Sequence, residues 1–202
     1  MYTFDHSLFL WLNFDGGTAT DAVMETISGT AMWVPLYLFI LVVVWRKYGW
    51  RSALAFVVCL VAAMGLADML CGIFKHSGPL KHLWESFPAR PRPMFTDDLQ
   101  GLVHVPSYAH GRFGTVSSHA ATVAAMAVMS AAAIRNRLYS IVIAAITLLI
   151  CYSRIYLACH FPMDLALGLM VGAVAGVAMW WLWKTIDCAL QKGQKGKEKK
   201  AK

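Results

Sequence analysis

The chain has 202 residues, 58% of them apolar and only 14% charged, where a soluble domain carries about 25% charged residues. The deficit is gathered into long apolar stretches divided by short polar joints, which argues for a membrane class and against a soluble enzyme. The formal charge of +7 sits mainly in the tail, where seven lysines from Lys184 onward face only Asp187 and Glu198; no basic patch interleaved with aromatics is present, so nucleic acid is not an expected partner.

In chain order, residues 4–14 are amphipathic and too short to span a bilayer, which predicts an interfacial helix ended by Gly16-Gly17. Five spans are expected after it. The first covers about 24–45, with Pro35 inside it, and the second about 51–74. The third, about 119–134, is short and rich in Ala and Met; the fourth covers about 138–153. The fifth, about 162–183, closes on a Trp-Trp-Leu-Trp belt, and Gly168, Gly172 and Gly176 repeat every four positions along it, a pattern that permits close helix packing. The fold class is therefore an all-α integral membrane bundle of about five transmembrane helices plus the interfacial one, six in all. Residues 1–186 form the membrane domain, with a long loop at 76–118, and 187–202 form a basic tail expected to be disordered. The N-terminus lacks the basic region of a cleavable signal peptide.

Arg46, Lys47 and Arg51, then Arg135 and Arg137, then the lysine tail fall on one side, which the positive-inside rule makes cytoplasmic. The long loop and the joint at about 154–161 fall on the other. Three polar clusters collect there: Lys75 with Arg90-Pro91-Arg92-Pro93; Gly114-Thr115-Val116-Ser117-Ser118-His119 at the start of span three; and Ser153-Arg154 with His160 and Asp164 around the start of span five. These residue types suit phosphoryl transfer. Arginine offers a planar fork to phosphate oxygens, lysine a point charge, and the start of a helix unpaired N–H groups. His160, two residues before Pro162, can attack phosphorus, with Asp164 placed to orient it and support its cationic state; His119 can protonate the departing oxygen and then activate water.

With these residues in view, the sequence resembles the type 2 phosphatidic acid phosphatase superfamily, a metal-independent group of integral lipid phosphatases with six helices. The S-R-x5-H-x3-D motif is matched in full by Ser153, Arg154, His160 and Asp164. The P-S-G-H motif appears as Val116-Ser117-Ser118-His119, changed at two of its four positions. The K-x6-R-P motif is matched loosely, with Lys75 preferred to Lys81 as its lysine, an insertion after it, and Arg92-Pro93 preferred slightly to Arg90-Pro91. The resemblance implies His160 as nucleophile, Asp164 as its partner and His119 as acid. Lys75, Arg90, Arg92, Ser117, Ser118 and Arg154 are the candidate phosphate-binding set, and neither metal nor organic cofactor is implied.

The expected activity is removal of phosphate from a membrane lipid, in a bacterial cytoplasmic membrane, with the site facing outward. The N-terminal helix, the insertion and the Ser-Ser-His variant resemble bacterial enzymes of envelope lipids, with undecaprenyl diphosphate and lipid A phosphate as the first substrates to consider and phosphatidylglycerol phosphate third. The alternatives are a lipid-to-lipid phosphotransferase and a non-catalytic transporter or scaffold. The five cysteines read as small core residues, with Cys159 beside His160 a lesser nucleophile. His76, His82, His104 and His110 read as loop residues, Glu85, Asp97 and Asp98 lack metal-ligand support, and Asp68 reads as a structural polar contact inside span two.

Overall fold

The computed structural model describes the backbone of residues 2–107 and 111–201, and side chains over 4–107 and 111–193. His110 and the last lysines of the tail lie outside the described side chains. Seven α-helices follow one another: α1 (Tyr2–Leu12), α2 (Gly17–Ser28), α3 (Val34–Tyr48), α4 (Trp50–Phe74), α5 (Ser118–Ile134), α6 (Arg137–Tyr156) and α7 (Pro162–Ala201). Among the described residues there is no strand, only one isolated antiparallel bridge between Pro91 and Phe113.

Among the described residues, four segments are long and apolar enough to cross a membrane: Thr30–Tyr48, Trp50–Phe74, Arg137–Tyr156 and Pro162–Gly193. Ser118–Ile134 is apolar but shorter. It packs deepest, with Ala121, Ala125, Met126, Met129 and Ala133 all buried, so its neighbours, and not lipid, satisfy most of its apolar surface. The first span departs from expectation. Residues 24–28 belong to a separate helix, α2, which stops at Gly29 where the backbone turns extended. A 3-10 turn over Thr30–Trp33 then leads into α3, and Pro35 sits in its first turn, where a missing N–H costs nothing. The described residues thus form seven α-helices, one more than expected, because the first expected span begins inside α2. α7 runs on through Ala201.

The glycine repeat does what its spacing predicts. A Cβ on Gly168 would stand 2.5 Å from the Ser117 carbonyl oxygen, one on Gly172 2.0 Å from that of Ala121, and one on Gly176 2.8 Å from that of Ala125. These contacts step along α5 one turn at a time, so the two backbones touch with no side chain between them.

The basic joints gather at one end. Lys47 Nζ donates to the carbonyls of Ala133 (3.1 Å) and Ile134 (2.7 Å), capping the C-terminus of α5 beside the start of α6. Trp183 Nε1 donates to the Ser52 carbonyl, and Ser52 Oγ donates to Asp187, which ties α4 to the lower part of α7. The opposite end carries α1, the long loop and the polar clusters. α1 is more than a surface helix. Phe4 and Trp11 are exposed, but Phe9 is fully buried against Phe161 and Asp5 is buried too. Asn13 fixes α1 to the end of α6, donating through Nδ2 to the Tyr156 carbonyl at 2.7 Å and accepting through Oδ1 from the His104 N–H at 2.8 Å.

Candidate active site

The site assembles where α4 ends and α5 and α7 begin, with the long loop folded over them. Ser117 caps α5: its Oγ accepts from the Ala120 N–H and its own N–H donates to the Asp164 carbonyl at 3.0 Å. α7 begins at Pro162, and Asp164 accepts through Oδ2 from the Phe161 N–H at 3.0 Å, so the carboxylate caps its own helix. These two caps lock the starts of α5 and α7 together.

The loop contributes through a short antiparallel pairing. Arg92 N–H donates to the Arg112 carbonyl and Gly114 N–H to that of Arg90, both at 2.9 Å. In an extended segment, residues two apart face the same side, so Arg90 and Arg92 both turn toward the start of α7. Their partners differ. Arg90 is held by two carboxylates, Asp5 (2.6 Å) and Asp164 (2.5 Å), and lies over the Phe161 ring at 4.3 Å. Arg92 donates to the carbonyls of Gly111 and Cys159, and its Nη1 lies 3.2 Å from His160 Nε2.

His160 is buried to 2% exposure. Its Nδ1 lies 2.9 Å from the Gly114 carbonyl oxygen, an acceptor only, so Nδ1 carries the hydrogen and Nε2 presents its lone pair toward Arg92. Asp164 Oδ2 is 3.7 Å from Nδ1, beyond hydrogen-bond reach. The backbone carbonyl therefore fixes the tautomer, while Asp164 supplies a nearby charge, a helix cap and an anchor for Arg90. Burial, reinforced by the charges of Arg92, Lys75 and Arg154, holds the His160 imidazole well below its ordinary range, so it is neutral at pH 7.

Lys75 follows the last residue of α4, and its Nζ donates to Ser118 Oγ at 2.8 Å. Arg154, in the last turn of α6, donates from Nη1 to Ser28 Oγ. Its Nε is buried with no hydrogen-bond partner among the described residues. Lys75, Arg92 and Arg154 are the cationic neighbours shared by His119 and His160. His119 lines a cleft of about 230 Å³ that runs down between α3, α4, α5 and α6. A neutral buried imidazole with a lone pair, three cations and a second imidazole beside a cleft are the parts of a phosphoryl-transfer site.

A model of the PAP2 superfamily matches residues 56–187, and the match spans every residue of the site except those of α1 and α2. The chain belongs to the PAP2 superfamily. It is 29% identical over 190 residues to a lipid A 4'-phosphatase of Bacteroides thetaiotaomicron, covering 93% of this chain and 80% of that protein. It is 28% identical over 173 residues to a lipid A 4'-phosphatase of Porphyromonas gingivalis, covering 85% and 70%. The crystal structure of Aquifex aeolicus LpxE superposes with a TM-score of 0.62 at 22% identity, over 86% of this chain and 92% of that one.

All nine residues singled out in the sequence lie at this end of the PAP2 bundle, but not in equivalent positions. His160, His119, Lys75, Arg92, Ser118 and Arg154 are grouped by contact or by shared charge. Ser117 and Arg90 are committed to caps and ion pairs that brace the site. Cys159 is buried, its thiol donating to the Leu157 carbonyl, and burial pushes it above the ordinary thiol range, which removes it as a nucleophile. The sequence placed Gly114 in the second cluster but gave no role to its carbonyl, which orients His160, and it did not single out Asp5, which holds Arg90 and accepts from the Met163 N–H. A backbone carbonyl leaves no mark in the residue types. Asp5 did carry a signal, as an acid in an otherwise apolar amphipathic helix. His104 joins Asp15 and Asp21 in a cluster that pins the long loop to the α1–α2 joint.

Proposed function

We propose that this PAP2 protein hydrolyses a phosphate monoester of a lipid A-type glycolipid through a phosphohistidine on His160, at the outer face of a bacterial cytoplasmic membrane. The observation that carries the reading is the buried Arg154 Nε–H without an acceptor among the described residues, beside a neutral His160 whose Nε2 lone pair faces Arg92. A buried donor left unpaired costs about 1–3 kcal/mol; a phosphoryl oxygen bound between Arg154, Arg92 and Lys75 removes that cost.

The steps follow from the geometry. His160 Nε2 attacks phosphorus, and the bond from phosphorus to the lipid oxygen breaks as His119 transfers a proton to that oxygen. The lipid alcohol leaves. His119, now neutral, takes a proton from water, the water oxygen attacks phosphorus, and the P–N bond breaks to release phosphate and restore His160. As charge builds on the imidazole, the Gly114 carbonyl and the Asp164 carboxylate lie on its Nδ1 side, while the three cations face the phosphoryl oxygens. Membership of the family and the two lipid A 4'-phosphatase relatives support the substrate class; the basic joints at the far end support the orientation.

Rapid quenching with a radiolabelled 4'-phosphorylated glucosamine lipid tests it. Wild type should form an acid-labile, alkali-stable phosphoenzyme and release free phosphate in the presence of EDTA. His160→Asn should form neither, and His119→Asn should slow turnover by ~10²–10⁴-fold. Wild-type turnover by the His160 variant, or strict dependence on an added divalent metal, would sink the reading.

A further inference from the structure

Asp68 stands within a membrane-spanning helix, about two turns from its end, where an ionisable group is costly and is usually held by a partner. Here no hydrogen bond or ion pair reaches it among the described residues, and it is exposed to the cleft that also exposes His119. It is seven residues before Lys75 on one face of α4, about 10 Å further into the bundle at ~1.5 Å per residue. Lys75 is bonded to Ser118, next to His119. Asp68 is therefore placed below the phosphate-binding cations, on the side of His119 where the leaving group must lie.

The other walls narrow what can lie there. Trp33 and Tyr37 present aromatic surface from the turn before α3 and from α3 itself, and Thr122 adds a hydroxyl one turn below Ser118. Trp33 is fixed in place, its Nε1 donating to the Ile27 carbonyl at 2.8 Å. Ser28 accepts from Arg154, which leaves its own hydroxyl hydrogen to donate into the cleft. At about 230 Å³ the space suits one ring-sized group, below the roughly 300–1,000 Å³ of pockets that enclose a whole ligand. An acyl chain would leave the carboxylate desolvated without a hydrogen bond. A second phosphate would be repelled by it. A pyranose satisfies every wall: hydroxyl or amide donors beside the ester oxygen for Asp68, and a C–H face for the aromatic rings.

We propose that Asp68, with Trp33 and Tyr37 opposite, forms a subsite for the sugar ring that carries the phosphate, and so selects phosphorylated glycolipids over lipid phosphates without a sugar. The proposal rests on the reading of the chain as a lipid phosphatase and goes further, by naming the residues that read the head group.

The test compares kcat/KM of the purified protein in detergent on a 4'-phosphorylated glucosamine-disaccharide lipid and on dioleoyl phosphatidic acid. For Asp68→Asn, the ratio of the two should fall at least tenfold, chiefly through KM on the sugar lipid. Trp33→Leu, probing the same cleft from the facing wall, should move the ratio in the same direction if the first variant does not fold. An equal fall on both substrates would make Asp68 a support for the chemistry at His119 and overturn the proposal, as would an unchanged ratio. A wild type with no preference for the sugar lipid refutes the substrate reading itself; a wild-type preference retained by both variants refutes only the subsite.

Discussion

At the residue scale the site depends on one backbone atom, the Gly114 carbonyl oxygen. It accepts from His160 Nδ1 and so sets which nitrogen keeps its lone pair. A side chain would crowd this approach: a Cβ at 114 would stand 3.0 Å from Arg92 Cγ and 3.3 Å from His160 Nδ1. Both contacts are tighter than ordinary packing, and both neighbours are parts of the machinery. Gly114→Ala should therefore lower kcat by ~10²-fold, as small misplacements of reacting groups do, while changing the thermal midpoint in detergent little. A variant with wild-type kcat would show that His160 is oriented by other means. Asp164 belongs to the same scale. The sequence placed it as the partner of His160, four residues on, and the structure does bring it near. Its oxygens are spent on the Phe161 N–H and on Arg90, however, because a carboxylate in the first turn of a helix meets free N–H groups before it meets a side chain.

At the scale of elements, the contact between α5 and α7 positions both imidazoles, since His119 opens one helix and His160 lies just before the other. Its closeness comes from the glycine stripe set against an alanine-rich face. Gly172 is the most demanding position, because an added methyl would overlap the Ala121 backbone at 2.0 Å, and backbone cannot swing aside as a flexible side chain can. Gly172→Ala should force the helices apart, destabilising the protein by about 1–3 kcal/mol as overpacking does and lowering the detergent midpoint together with activity. Gly193→Ala, on the same helix with open space around the position, should leave both unchanged. If the two substitutions behave alike, the stripe is not what holds the bundle. The periodicity of these glycines was readable in the sequence; which helix they press against was not. The α2 helix was hidden for a related reason. Apolar residues at its end run into those of the next helix, and only the extended backbone at Gly29 separates them.

For the molecule as a whole, the polar residues divide between two ends. One end holds the imidazoles and their cations, the other the basic joints, and the spans lie between. The cysteines offer a native probe of orientation, because Cys188 on lower α7 is exposed while Cys59, Cys71, Cys151 and Cys159 are buried. A membrane-impermeant maleimide should label the protein in inverted membrane vesicles, and Cys188→Ser should abolish that labelling. In intact spheroplasts labelling should be absent. The opposite pattern would place the active site in the cytoplasm.

From the sequence alone came the membrane class, the grouping of the three polar clusters at one end and the histidine pair. Hydropathy and charge act on segments locally, and the SR-x5-H-x3-D spacing survives in one stretch of chain. The fold decided the division of labour among those residues. Arg92 turns to His160 while Arg90 is captured by Asp5 and Asp164, and a carbonyl 46 positions away holds the His160 ring. Arginines two positions apart in one loop are chemically identical until the buried carboxylates and backbone oxygens contributed by distant segments compete for them.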